Sequence, residues 1–70
     1  MKIISKAIVS NQYKRNGGFV IFELDNCTEW MLIDNPFINA VGREAKVWRD
    51  GRKHYIQIDG SSEKFAVDEM

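Results

Sequence analysis

Seventy residues make one domain and leave no room for a second. Ten acidic and ten basic side chains cancel to zero formal charge, which speaks against a strongly basic nucleic-acid binder and equally against an acidic nucleic-acid mimic. The lone Cys27 and lone His54 exclude an internal disulfide and a four-ligand structural zinc site within one chain.

A chain of this size buries only about 60% of its unfolded surface, so marginal stability is expected unless a partner covers part of it. The opening MKIISKAIVS is interrupted by Lys6 and is too short for a signal-peptide core. No apolar run approaches the roughly 20 residues of a membrane span. A reduced, cytoplasmic, stand-alone product with no membrane partner is the expectation.

Turn signals recur at short, even intervals: Asn16-Gly17-Gly18, Asp25-Asn26-Cys27, Asn35-Pro36, Gly42, Asp50-Gly51 and Gly60-Ser61-Ser62. Between them lie runs rich in Ile, Val, Phe, Trp and Tyr, the pattern of a small antiparallel barrel or sandwich. In the first hairpin Asn16-Gly17 suits a type I′ turn, because both residue types tolerate positive φ. That turn pairs Arg15 with Gly18, Tyr13 with Val20, Asn11 with Phe22 and Val9 with Leu24. Ala7, Val9, Tyr13, Val20, Phe22 and Leu24 then form a core face. Ile8, Phe19 and Ile21 are apolar on the face that should be wet.

The third strand, Glu29 to Asp34, alternates Trp30 and Leu32 against Met31 and Ile33. Either pair can join Ile21 on the outer side, depending on the loop before it. After it, Asp34 or Asn35 can cap, Pro36 suits a first helical position and Gly42 suits the residue after the end. A short helix over 36–41 is expected, with an irregular loop plugged by Phe37 as the alternative.

In the second hairpin a two-residue Asp50-Gly51 turn opposes Arg49 to Arg52, Val47 to His54 and Ala45 to Ile56. Ala45, Val47, Ile56 and Ile58 form its apolar face, while Glu44, Lys46, Trp48, Lys53, Tyr55, Gln57 and Asp59 share the polar one. A three-residue loop would instead turn Trp48 toward Ile56 and Ile58. The tail, Lys64 to Asp68, alternates weakly and either adds a short edge strand through Phe65 and Val67 or frays.

The fold class is therefore mainly β: a small five- or six-stranded antiparallel barrel, OB-like or alternatively SH3-like, with one short helix or turn between strands three and four. The whole chain, 1–70, forms this single barrel domain.

Aromatic rings flanked by cations are what a single-stranded nucleic acid needs, since bases stack and phosphates pair with positive groups. Lys46, Trp48, Arg49, Arg52, Lys53 and Tyr55 carry that expectation, and half of the basic residues fall between Arg43 and Lys53. The bland alternative makes Trp48 core and the cations a solvated hairpin tip. A second candidate is an apolar outer face of Phe19 and Ile21 with either Trp30 and Leu32 or Met31 and Ile33. It suits a protein partner or a homodimer, as in an inhibitor or adaptor, the alternative being that the short helix and closing strands cover it. No nucleophile–base pair, Gly-rich phosphate loop or metal-ligand spacing is legible, so neither an enzyme nor a cofactor is expected. Cys27 falls in a turn with no evident activator.

Overall fold

The computed structural model describes residues 1–15, 17–34 and 38–70. Six strands follow one another: β1 (Lys2–Lys14), β2 (Val20–Leu24), β3 (Glu29–Leu32), β4 (Glu44–Asp50), β5 (Lys53–Ile58) and β6 (Phe65–Glu69). They close into a barrel in the order β1-β2-β3-β6-β5-β4, with every neighbouring pair antiparallel. Two three-stranded meanders are thus sewn together along two seams, β1 with β4 and β3 with β6. The weak tail is not an edge strand or a fraying end. It is the strand that closes the second seam.

Strand β1 can pair on both sides because it is long and irregular. Its register shifts at Ile4 against β4 and at Ser10 against β2, one extra residue at each place. Such bulges bend a strand and increase its twist, which a barrel wall of thirteen residues needs. Inside, Phe22, Leu32, Ile56, Ile58, Val9 and Val47 are fully buried and form the centre of one contiguous core. Trp30 and Val67 close it from β3 and β6.

The first hairpin differs from the sequence expectation. The N–H of Arg15 donates to the carbonyl of Phe19 at 2.9 Å, so Arg15 faces Phe19 rather than Gly18, while Asn16 of the expected turn lies outside the described residues. Tyr13 consequently faces Ile21 and Gln12 faces Phe22, one residue out of the expected register. The bulge at Ser10 cancels the slip, and Val9 meets Leu24 as expected. Between turn and bulge the faces are exchanged: Tyr13 leaves the core side and Gln12 enters it.

Gln12 uses this position as a clamp. Its Nε2 donates to the Ile38 carbonyl at 2.8 Å and its Oε1 accepts from the Ala40 N–H at 2.9 Å. Backbone polar groups entering a barrel end need partners, and one amide here supplies a donor and an acceptor together. Ala40 is fully buried as a result. Of the short helix expected over 36–41, residues 36 and 37 lie outside the described residues, as does the Phe37 plug. Residues 38–40 have no regular structure and Val41-Gly42 form a turn, with Gly42 at φ 84°.

The second expected face is corrected in its members: Met31 and Ile33, not Trp30 and Leu32, lie on the outer side, and Ile33 is exposed. Trp30 and Leu32 point into the core and Ile21 is fully buried, so Phe19 and Ile33 are the exposed members. Ile21 lies in register between Tyr13 and Met31 on the outer side of the sheet, yet has no accessible surface. Tyr13 is half-buried there, and its hydroxyl donates to Glu29 Oε2 at 3.4 Å. Desolvation, then the carboxylates of Glu29 and Glu23, push its phenol above the ordinary 10.0.

Candidate nucleic-acid interface

The Asp50-Gly51 signal marks the second turn correctly but places it one residue early. Asp50 pairs with Lys53, so Gly51 and Arg52 are the turn residues, with Gly51 at φ 63°. Arg49 then faces His54, Trp48 faces Tyr55 and Val47 faces Ile56. This register is two residues away from the expected one, and an even slip keeps every side chain on its own face. Ala45, Val47, Ile56 and Ile58 are fully buried, while Lys46, Trp48, Tyr55 and Gln57 stand half-buried on the outside.

Seen across strands, the outer face is striped. One row runs Ile3, Trp48, Tyr55 and Ala66 over β1, β4, β5 and β6. Beside it runs a polar row in which Lys6 lies directly opposite Lys46, and Lys46 opposite Gln57. From the loop before β6, Lys64 lays its ammonium over the Trp48 ring, 4.7 Å from the centroid. The indole is fixed as well as covered. Its Nε1 donates to Gln57 Oε1 at 3.0 Å, and Gln57 Nε2 donates in turn to the Ser61 carbonyl at 3.0 Å. That chain orients the ring and ties the Lys64 loop to the sheet.

Lys6 facing Lys46, and Lys2 facing Arg49, put like charges directly opposite in a protein whose total charge is zero. Such pairs are destabilising, so fold stability does not explain them. Acidic groups remain near: Asp50 faces Lys53 and Glu44 faces Ile8.

Past the aromatic row, at the β5–β6 end, a cleft of about 230 Å³ opens between Ile33, Arg52, Lys53, Tyr55 and Asp68. His54 and Val67 form its base. His54 points inward, its ring 5.3 Å from that of Trp30 at an interplanar angle of 48°. Its role is packing at the barrel end.

Of the six residues singled out from the sequence, Lys46, Trp48 and Tyr55 share the striped face, and Arg52 and Lys53 line the adjoining cleft. Arg49 does not join them. It pairs with inward-facing His54, and its Nε donates to the Gly51 carbonyl at 2.9 Å, bracing the turn. Sequence reasoning missed Lys6, Lys64 and Gln57. Lys6 is forty residues from Lys46 in the chain, and only the β1–β4 seam joins them. Lys64 followed by Phe65 was readable only as the start of a strand.

No family model, curated protein or solved structure matches this chain. The site must be read from its own chemistry. Among the described residues, no group of three or more His, Cys, Asp and Glu side chains is placed to hold a metal ion. The acidic residues near the β2–β3 turn have structural tasks instead: Asp25 accepts from the Ile8 N–H at 3.1 Å and Glu29 receives the Tyr13 hydroxyl. Cys27 is exposed in that turn at φ 68°.

Proposed function

We propose that the protein binds single-stranded nucleic acid across the outer face of β1, β4, β5 and β6. One observation carries the reading: an adjacent Trp48–Tyr55 pair beside a row in which Lys6 and Lys46 are held opposite each other, with Lys64 on the indole. Tyr55 offers a π-face to a base, and Trp48 does so once the Lys64 ammonium moves from its ring to a phosphate. The other lysines offer charge to the phosphates between them. Phosphates bound between Lys6 and Lys46 relieve the repulsion that the fold otherwise tolerates. The neutral total charge makes long-range attraction weak, so affinity is modest and concentrated on this stripe.

A fluorescently labelled oligothymidine of about eight nucleotides, within the usual site size for one small barrel, tests this by titration at low salt. Binding is expected, with quenching of tryptophan emission. Trp48→Ala should weaken it by about 1–3 kcal/mol. Lys46→Ala should weaken all sequences alike and reduce the salt slope by about one. Absence of binding by the unaltered protein at low salt ends the reading.

A further inference from the structure

The cleft at the β5–β6 end is continuous with the aromatic row through Tyr55 but differs from it chemically. The stripe is apolar and cationic, whereas the cleft sets one carboxylate, Asp68, beside Arg52 and Lys53. Extending the β5–β6 register by one pair places Asp68 next to Lys53 on the outer side. At about 230 Å³ the cleft falls below the roughly 300–1,000 Å³ that encloses a whole drug-sized ligand, so it suits one group of a longer one.

An acid at that place is a poor choice for general affinity to a polyanion. It is a good choice for reading a base. An ionised carboxylate only accepts hydrogen bonds, so it favours a base edge that presents donors. Guanine alone offers two adjacent donors, N1–H and the N2 amino group, on its Watson–Crick edge. They match the two carboxylate oxygens in the parallel fashion of an arginine fork. Unpaired strands expose that edge for recognition.

We propose that the cleft is a guanine-selective subsite of the strand path, with Asp68 accepting from the base edge, the base lying beside Tyr55, and the flanking phosphate on Arg52 and Lys53. The proposal rests on the nucleic-acid reading above. Asp68 sets base preference and the two cations set affinity.

The test compares oligothymidine with the same oligomer carrying one guanine, each titrated against the unaltered protein, Asp68→Asn and Arg52→Ala. One guanine should tighten binding about tenfold, the size of a single good base contact. Asp68→Asn presents an amide donor toward guanine's donors and should erase that preference, leaving oligothymidine binding within about twofold. Arg52→Ala should weaken both oligomers by the same factor and leave the preference intact. Asp68 is exposed, so the variant is expected to fold, and circular dichroism verifies it. Oligothymidine binding without any guanine preference overturns the subsite and leaves the stripe standing, as does a preference that survives Asp68→Asn. Failure to bind either oligomer overturns stripe and subsite together.

Discussion

The two hairpins begin from similar sequence signals and end with opposite outer faces. On β1–β2 the outward Ile21 has no accessible surface, and the hydroxyl of its cross-strand neighbour Tyr13 is bound to Glu29. On β4–β5 the outward Trp48 and Tyr55 stay half-exposed, with lysines around and over them. Apolar content does not distinguish these faces, since both carry large side chains. What distinguishes them is how fully the chain covers its own surface, and a half-exposed face with Trp48 fixed by its hydrogen bond to Gln57 is the one suited to a ligand.

Ile21→Lys should break the comparison most severely. A lysine there buries an unpaired charge, one of the few mechanisms that costs more than about 4 kcal/mol. A domain this small holds only about 3–5 kcal/mol in its core, so the variant should be unfolded by circular dichroism at 25 °C. A folded variant with unchanged melting would show that the outer face of β1–β2 is open after all.

The two tryptophans sharpen the contrast. Trp30→Ala should remove about 3–5 kcal/mol, as emptying a core aromatic site does, and leave the domain largely unfolded before urea is added. Trp48→Ala, by contrast, should cost less than half of that and keep a cooperative urea transition. Equal losses would mean that Trp48 is as much core as Trp30.

The smallest effect concerns pH. The Tyr13 phenol is raised in the folded state, so over the window above 10.0 the folded protein keeps a proton that the unfolded chain has released. Stability therefore falls as pH rises through that window and is unaffected by this group below it. Tyr13→Phe should flatten that alkaline decline in melting temperature relative to the unaltered protein. An identical decline in both would assign it elsewhere.

How much of this was legible in the sequence depends on what set each register. The strands and most of the core could be read because β-branched and aromatic runs alternate between Gly, Asn and Asp turns. In β4–β5 the expected turn is one residue early and the register two residues out, yet period-two alternation absorbs an even slip, so Val47, Ile56 and Ile58 stay inside and Trp48 outside. In β1–β2 the slip was odd, and the faces of Gln12 and Tyr13 were exchanged. The bulge that corrects it falls at Ser10, a residue with no special preference, and follows from barrel curvature rather than local propensity. The burial of Ile21 and the Lys6–Lys46 juxtaposition depend on seams between strands far apart in the chain. Periodicity carries no information about such seams.

Because the barrel closes, each of the six strands has a partner on both sides. Closure leaves only short stretches of strand edge for a partner to extend with its own backbone, the route by which many small β domains capture extended peptides. Selectivity must be written chiefly in protruding side chains. Lys46, Trp48 and Tyr55 stand on strands paired on both sides at those positions, so exchanging them can redirect recognition without asking the backbone to change its hydrogen bonds.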